Sequence, residues 1–228
     1  MSEFIQLHTA DGHTFDAYLA RPTGAAKAGI VVLQEIFGVN GHVRSVTDGL
    51  AWEGFLVLAP ALFDRLQHKV ELGYTPDAIQ QGVKLMQGLR LENTLADIQA
   101  AIVYLRQQTG VSKVGVVGYC WGGKLAWLSN TRLHPDATVS YYPGGIQDHI
   151  TEKATCPAIF HFGLHDAHIP LSVVEQVQQE YPGFPVFTYD AGHGFNCDAR
   201  ESYNEKAAAL ARTRTLAHFE EHLVHAAH

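Results

Sequence analysis

Short, continuous apolar runs that alternate with helical patterns constrain this chain more than any other feature. The runs are rich in β-branched residues and lie at residues 28–34 (AGIVVLQ), 55–59, 113–118, 137–141, 158–162 and 186–189. Such runs are typical of strands that are covered on both faces, and therefore of a parallel sheet. Strands that alternate with helices form right-handed βαβ units. We therefore expect an α/β fold, a three-layer α/β/α sandwich with a mostly parallel sheet.

Further patterns define the elements around this series. Phe4–Leu7 and Phe15–Ala20 flank an Asp-Gly turn signal, which predicts an N-terminal hairpin. Thr94 is a candidate N-cap for a helix. The apolar stripe of that helix consists of Leu95, Ile98, Ile102 and Leu105. A last helix is expected at about residues 200–223, with Leu216, Phe219 and Leu223 on one face.

Length and composition narrow the possible functions. The stretch at about residues 63–91 is too short for a second domain, so we expect a single domain over residues 1–228, without a large lid. Lys and Arg number 16 against 23 Asp and Glu, and the resulting net charge of −7 repels nucleic acid. No apolar segment is long enough to cross a membrane, and the first residues lack the basic and apolar regions of a signal peptide, so we expect a protein that is not exported. The three cysteines lack CxxC spacing, which favours a reducing, cytoplasmic location. We expect a monomer.

A cysteine occupies a sharp turn between a strand and a helix. The segment Gly118-Tyr119-Cys120-Trp121-Gly122-Gly123 follows an apolar run and opens a helical stretch. A nucleophile on such a strained turn requires neighbours without Cβ atoms, which Gly118 and Gly122 provide. The helix N-terminus would favour a thiolate and later an oxyanion. Alternatively, the glycines allow close packing around a buried, inert cysteine.

An acid and a histidine follow in the order that such a nucleophile requires. Asp166 ends an apolar run, and His193 lies between two glycines after the last run. The acid would hold the histidine Nδ1 hydrogen so that Nε2 faces the nucleophile. Asp190 is a rival acid, but its position just before His193 favours a loop residue. We therefore predict a catalytic triad of Cys120, Asp166 and His193.

Two groups of closely spaced histidines resemble metal ligands at first sight. They are His161, His165 and His168, and His218, His222 and His225. The first group spans a strand and a turn, so its side chains should diverge, and the second lies on a terminal helix. We expect neither group to bind a metal, and we expect no cofactor.

Four segments together resemble one known family. They are QEIFG at 34–38, GYCWGG at 118–123, GLHDAHIP at 163–170 and AGHGF at 191–195. The chain resembles the dienelactone hydrolase family, also called carboxymethylenebutenolidases, and the resemblance extends over nearly its whole length. It implies an α/β-hydrolase fold and a cysteine-dependent hydrolase of small carboxylic esters or lactones that needs no cofactor.

The resemblance also implies individual roles. Cys120 resembles the nucleophile that attacks the carbonyl, His193 the residue that takes and returns protons, and Asp166 its orienting partner. Glu35 resembles the family glutamate that holds the resting thiol and helps to deprotonate it. A carboxylate beside the thiol would disfavour the thiolate and protect the sulfur from oxidation. Alternatively, Glu35 is a structural carboxylate that bonds buried backbone or an arginine.

Further positions are assigned to the oxyanion and the substrate. The backbone N–H groups of Ile36 and Trp121 resemble the oxyanion hole of the family. The aromatic side chains of Phe37, Tyr142 and Phe195 are candidates for apolar walls around the substrate.

One departure from the family concerns the substrate. Members that hydrolyse dienelactone present arginines to the substrate carboxylate, and one of these lies four residues after the histidine, where this chain has Cys197. Arg200, Arg90 and Arg65 are candidates to replace it. Cys197 itself is a small buried residue or, if close enough, a redox partner of Cys120.

Other functions fit parts of the same pattern. A thiol redox sensor or a noncatalytic ligand-binding protein could keep the fold and a reactive Cys120 without hydrolysis, although the acid and the histidine argue against it. A thioesterase or peptidase-like enzyme would use the same residues on a larger acyl donor.

Overall fold

The computed structural model describes residues 1–225 of the 228-residue chain, and these contain eight strands and six α-helices. The strands are β1 (Ser2–His8), β2 (Thr14–Ala20), β3 (Gly29–Leu33), β4 (Leu56–Pro60), β5 (Val114–Tyr119), β6 (Ala137–Tyr141), β7 (Ala158–Gly163) and β8 (Val186–Tyr189). The helices are α1 (Gly41–Trp52), α2 (Pro76–Gly88), α3 (Leu91–Arg106), α4 (Trp121–Leu133), α5 (Leu171–Glu180) and α6 (Glu205–Phe219). A 3₁₀ turn spans Ile146–His149, and a π-helical turn follows α6 at Glu220–Val224.

The strands form a mostly parallel sheet with the order β1-β2-β4-β3-β5-β6-β7-β8. β1 pairs with β2 and β2 with β4 in antiparallel fashion, whereas β3/β4, β6/β7 and β7/β8 are parallel pairs. The α/β fold, the N-terminal hairpin and all six predicted strands are therefore confirmed. The strands β3 to β7 are buried at every residue, as expected of strands covered on both faces.

The chain divides into two compact units, and the boundary between Val116 and Val117 falls within β5. A single domain over the whole chain stays a prediction. None of the helices in the described residues is long and apolar enough to span a bilayer.

The first unit contains β1 to β4 and α1 to α3. The side chains of Asn40 and Thr75 cap α1 and α2, accepting from the amides of Val43 and Ala78. The predicted start of α3 at Thr94 is wrong, because the helix begins at Leu91. The predicted stripe of α3 is buried, as expected: Leu95, Ile98, Ile102 and Leu105.

The second unit contains the end of β5, the strands β6 to β8 and the helices α4 to α6. Its last helix begins at Glu205 rather than near residue 200, because the Asn204 side chain accepts from the amide of Ala207 and caps the helix there. The residues before Asn204 form turns instead. Phe219 and Leu223 are buried as predicted.

Candidate active site

Cys120 lies at the turn where β5 ends and α4 begins. Its φ of 55° and ψ of −117° place a non-glycine residue in a strained region of backbone conformation. The Cys120 amide donates to the Tyr141 carbonyl over 3.0 Å, and the Cys120 carbonyl accepts from the amides of Gly123 and Lys124. Hydrogen bonds on both sides of the residue therefore hold the turn, as expected where strain serves a function.

Two glycines allow the turn to close. A Cβ on Gly118 would overlap the carbonyl oxygen of Gly122, and a Cβ on Gly123 would lie 2.5 Å from the Tyr141 carbonyl oxygen. Neither position tolerates a side chain without backbone movement. The predicted requirement for glycine at position 118 therefore has a direct steric cause, and Gly123 adds a requirement that the sequence pattern did not single out.

The structure brings the three predicted triad residues into a hydrogen-bonded row. His193 Nε2 lies 3.0 Å from Cys120 Sγ, and His193 Nδ1 lies 2.7 Å from Asp166 Oδ2. The second oxygen, Asp166 Oδ1, accepts from the amides of His168 and Ile169 over 2.7 and 3.0 Å. Asp166 is thus fixed by its own loop after β7. We call Cys120, Asp166 and His193 the catalytic corner.

The electrostatics of the corner depend on its partners rather than on burial. Burial alone lowers the pKa of His193, but hydrogen bonds and charge interactions with Asp166 and Cys120 outweigh it and raise this pKa to about 10. His193 therefore holds a proton at neutral pH beside the sulfur. A cationic imidazole at this distance is the arrangement that favours a thiolate nucleophile.

The rival acid Asp190 does not contact His193 in this arrangement. Its carboxylate lies 2.6 Å from His165 Nε2, and both side chains are exposed. Asp190 therefore lies in the loop that follows β8, as the sequence favoured, and outside the row formed by Cys120, Asp166 and His193.

Two of the predicted substrate-contacting aromatics pack around the histidine. Tyr142 and Phe195 are both fully buried. The Tyr142 ring lies 5.1 Å from the His193 ring and 5.2 Å from the Phe195 ring. The described contacts are packing contacts that restrict the imidazole, and contact of either ring with substrate stays a prediction.

A row of buried polar side chains lies behind the corner and was not predicted. The Tyr141 hydroxyl lies 2.7 Å from Thr215 Oγ1, which lies 3.1 Å from His161 Nε2. His161 Nδ1 in turn lies 2.8 Å from the Tyr189 hydroxyl, to which Arg214 donates over 3.1 Å. We call Tyr141, His161, Tyr189 and Thr215 the buried network. Because the Tyr141 carbonyl accepts from Cys120, the network supports the turn that carries Cys120.

The titration of the buried network differs from that of the corner. Burial, with the nearby charge of Arg214, lowers the pKa of His161 to about 3. Burial likewise raises the pKa of Tyr141 well above its usual value. Both side chains therefore stay neutral over the physiological pH range, and the network carries hydrogen bonds without charge.

The predicted loop residues 35–37 belong to the first unit and are all described there. Glu35 is 2% exposed, and its carbonyl accepts from the Gln34 side chain over 3.2 Å. The Ile36 carbonyl lies so close to Gly82 that no side chain fits at Gly82. Phe37 is buried against Tyr74, with 4.6 Å between the rings. The roles of Glu35, Ile36 and Phe37 toward a substrate stay predictions.

Two of the three candidate arginines lie in settings that do not favour a substrate carboxylate. Arg65 is engaged with two carboxylates, at 2.7 Å from Asp97 and 2.8 Å from Asp11. Arg90 is largely exposed, at 4.0 Å from Glu92. The third candidate, Arg200, differs from these two in its position beside the loop of His193.

The Arg200 guanidinium lies against the backbone next to His193. A Cβ on Gly194 would lie only 2.5 Å from Arg200 Nη1, and Gly194 has a φ of 79°. The turn between them is closed by Cys197, whose amide donates to the Gly194 carbonyl and whose carbonyl accepts from the Arg200 amide. Cys197 is fully buried and forms no disulfide. Arg200 therefore carries a cation beside the catalytic loop.

The side chains of the first histidine group diverge, as predicted, whereas two members of the second group lie close together. His161 belongs to the buried network, His165 contacts Asp190, and the His168 ring lies edge-on to His193 at 5.0 Å. The rings of His218 and His222 lie 4.6 Å apart. His168 could have been predicted as a neighbour of the corner from the GLHDAHIP segment, because it follows the acid by two residues.

The comparisons with known proteins identify the family to which the chain is similar. The sequence model of the dienelactone hydrolase family matches residues 15–223. The carboxymethylenebutenolidase of Pseudomonas putida is 34% identical over 224 residues, covering 95% of each chain. Carboxymethylenebutenolidase 1 of Cupriavidus pinatubonensis is 29% identical over 223 residues, again covering 95% of each.

The fold has close counterparts among solved structures. A Klebsiella pneumoniae protein provisionally assigned as a dienelactone hydrolase superposes with a TM-score of 0.85 at 28% identity, covering 97% of this chain and 98% of that one. The dienelactone hydrolase-like phosphotriesterase P91 from metagenomic libraries superposes with a TM-score of 0.78 at 20% identity, covering 97% and 98%. The second similarity concerns the fold alone.

Proposed function

Because the chain belongs to the dienelactone hydrolase family, with its α/β-hydrolase fold, we propose that it is a cysteine-dependent hydrolase of small carboxylic esters or lactones. One observation carries the proposal: His193 Nε2 lies 3.0 Å from Cys120 Sγ, and its Nδ1 lies 2.7 Å from Asp166. Acyl transfer through a covalent intermediate requires a nucleophile within hydrogen-bonding distance of a base, and an acid within that distance of the base to orient it.

In the first step the Cys120 thiolate attacks the carbonyl carbon of the substrate. A carbon–sulfur bond forms, and the carbonyl oxygen becomes an oxyanion. The amide of Trp121, the first residue of α4, is a donor for this charge, and a donor of this kind contributes a factor of about 10²–10³ to the rate. The tetrahedral intermediate then expels the alkoxide, which takes the proton from His193 Nε2. An ester releases an alcohol here, whereas a lactone opens and keeps its hydroxyl on the acyl chain.

In the second step water hydrolyses the thioester. Neutral His193 accepts a proton from the attacking water through Nε2, and the carbon–oxygen bond forms. The intermediate collapses with cleavage of the carbon–sulfur bond, and Cys120 leaves as a thiolate beside the protonated histidine. Asp166 keeps the imidazole oriented throughout. The product is a carboxylic acid.

Two further roles come from the family resemblance. It assigns the second oxyanion donor to the Ile36 amide and a thiol-holding role to Glu35. What supports a special role for Glu35 is its burial, since a carboxylate that is 2% exposed needs specific partners to remain in the protein interior. Neither step above depends on these two residues.

The substrate class follows from the cation beside the catalytic loop. Arg200 lies against Gly194, the residue after His193, and we assign to it the role of the family arginine that is missing at position 197. A guanidinium binds a carboxylate through paired hydrogen bonds. We therefore favour a lactone or ester that carries a carboxylate. The relative from Pseudomonas putida is named as a carboxymethylenebutenolidase, and a carboxymethylenebutenolide is a lactone of this type. Because the three cysteines form no disulfide, we expect the protein to act in the cytoplasm.

The test compares the wild type with Cys120→Ala and Cys156→Ala, because Cys156 offers a matched thiol outside the corner. Hydrolysis of p-nitrophenyl acetate and of an unsaturated lactone carboxylate is measured in the presence of a chelator, and quenched reactions are analysed by mass spectrometry. We expect a transient acyl adduct on Cys120, no turnover in Cys120→Ala, and normal turnover in Cys156→Ala.

The alternatives give different results in the same experiment. Turnover that survives in Cys120→Ala contradicts the cysteine mechanism. An oxidised Cys120 without turnover of either substrate would favour the redox sensor, and turnover confined to thioesters or larger acyl donors would favour the thioesterase. Arg200→Gln should raise KM for the lactone carboxylate and leave hydrolysis of the uncharged ester unchanged.

A further inference from the structure

A cleft of about 520 Å³ opens in the second unit, far from the catalytic corner. It lies among the start of β7, the loop that leads into β8, and the end of α6. Its walls include Pro157, Phe184, Pro185, Phe187, Arg214 and His218. The residues of the corner follow the opposite, C-terminal ends of the same parallel strands, and six residues of strand extend to about 20 Å. The cleft is therefore a separate site.

Arg214 gives the cleft a cation that is held by aromatic rings. The guanidinium carbon lies 4.1 Å from the centre of the Phe187 ring and 5.5 Å from that of Tyr189. One nitrogen donates to the Tyr189 hydroxyl over 3.1 Å. Stacking on a ring and one phenol bond leave further donors of the planar guanidinium for an anion. Glu221 also lines the cleft, but its side chain is 74% exposed to solvent.

His218 gives the cleft a hydrogen-bond acceptor that lacks a donor. The residue is 7% exposed, and its Nε2 is buried without a hydrogen-bond partner among the described residues. Burial, with nearby His222, lowers the pKa of His218 to about 4, so the ring is neutral at physiological pH. The ring also bonds to the backbone of Pro157. A neutral imidazole whose other nitrogen is used in this way presents a lone pair at Nε2.

The two polar residues lie on one face of the helix, because residues four apart are neighbours on a helix surface. We propose that this cleft binds a small hydroxy acid with a flat apolar body. The carboxylate contacts Arg214 and the body packs against Phe184 and Pro185. On binding, a shift of the His218 ring turns its buried Nε2 to the cleft, where it accepts from the hydroxyl. Opening a lactone with water yields a hydroxy acid, so products of the proposed reaction belong to this class. The binding site itself stands on the cleft alone and does not depend on catalysis.

The first test measures binding of 4-hydroxybenzoate by calorimetry to the full chain and to two arginine variants. Arg214→Gln should weaken binding about tenfold or more, because a charge-assisted bond is lost. Arg212→Gln, on the exposed side of the same helix, is the matched control and should bind like the wild type. A crystal soaked with 4-bromobenzoate should show bromine in the cleft.

The second test concerns the hydroxyl. The wild type should bind 4-hydroxybenzoate roughly three- to tenfold more tightly than benzoate, the effect of one hydrogen bond. His218→Phe keeps an aromatic ring but removes Nε2, so this preference should disappear. Glu221→Gln should strengthen binding of both acids, because it removes a like charge from an exposed position and leaves the fold intact.

Melting temperatures identify any variant that fails to fold. If Arg214→Gln or His218→Phe unfolds, binding of the two acids to Glu221→Gln tests the proposal instead. The proposal is overturned if folded Arg214→Gln binds as tightly as the wild type. It is also overturned if His218→Phe keeps the hydroxyl preference, or if Glu221→Gln leaves binding unchanged.

Discussion

The His193 side chain is 9% exposed and His161 is fully buried, yet the pKa values of these two residues of the second unit move in opposite directions. Contact with Asp166 and Cys120 overcomes the effect of burial and raises the pKa of His193 to about 10. His161 has only neutral hydroxyl partners, and burial with the charge of Arg214 lowers its pKa to about 3. The chemical partner, not the depth of burial, therefore decides which histidine can carry a proton.

The opposite pKa shifts correspond to different roles for the catalytic corner and the buried network. The catalytic corner holds charge next to the sulfur, whereas the buried network supplies neutral hydrogen bonds that support the backbone of Cys120 through Tyr141. A charged residue in the network would need a counterion in the core, whereas the corner places the Asp166 carboxylate beside the His193 imidazole.

The largest expected difference is between the same substitution, histidine to phenylalanine, made in the catalytic corner and in the buried network. His193→Phe should lower kcat/KM by about 10²–10⁴, because it removes the acid–base group. His161→Phe should change kcat/KM by less than about tenfold but lower the free energy of unfolding by about 1–3 kcal/mol, because hydrogen bonds to buried hydroxyls are lost. Steady-state kinetics and urea unfolding of both variants check this. Equal loss of activity would remove the distinction between the regions.

Asp166→Asn should also reduce kcat/KM strongly, by about 10²–10⁴, through loss of imidazole orientation. Its pH profile is more informative. His193 must hold a proton to release the leaving group, so activity of the wild type should decline as pH rises through about 10. Removing the carboxylate removes a cause of the raised pKa, so the alkaline limb of Asp166→Asn should lie at lower pH. An unshifted limb would contradict the assigned partner.

Much of the corner could be predicted from sequence because each member has a local signature. Cys120 and His193 are flanked by glycines, and Asp166 follows an apolar strand. The buried network has no such signature, because its side chains are far apart in the chain: Tyr141 and Thr215 are separated by 74 positions. A serine, threonine or tyrosine within an apolar strand or helix gives no indication of its partner.

The first residues of the helices were also only partly predictable from the sequence. Thr94 has the residue type of an N-cap, yet its hydroxyl bonds to the Arg90 carbonyl within the first turn of α3. Arg90 occupies the cap position without a side-chain bond to the helix, so no local signal marks the true start. In contrast, Asn204 caps α6 with its own side chain, although the apolar pattern alone suggested an earlier start.

The turn that carries the nucleophile should be intolerant of a single methyl group. Gly118→Ala should destabilise the fold by more than about 2 kcal/mol, since its Cβ would overlap the Gly122 carbonyl oxygen. Gly144→Ala is the matched control, because no atom lies within 4 Å of the added Cβ. Thermal unfolding compares them, and equal melting temperatures would show that the turn can relax.

The last comparison concerns how stability changes with acid. His161 has an ordinary pKa of 6.5 and a folded-state pKa of about 3, so between these values the unfolded chain binds a proton that the folded chain does not. The free energy of unfolding should therefore fall as pH decreases from about 6.5, by up to about 1.4 kcal/mol per pH unit for one proton. Urea unfolding from pH 7 to 4 should show a shallower fall in His161→Phe. An identical slope would place the proton uptake elsewhere.

The most direct test of the charged corner is an NMR titration of the His193 side chain in histidine-labelled protein, with His193→Phe used to assign its signals. The account predicts that His193 keeps its proton through neutral pH and loses it near pH 10, and that Asp166→Asn loses it at lower pH. A wild-type His193 that titrates at or below its ordinary value of 6.5 would contradict the charged pair on which the proposed mechanism depends.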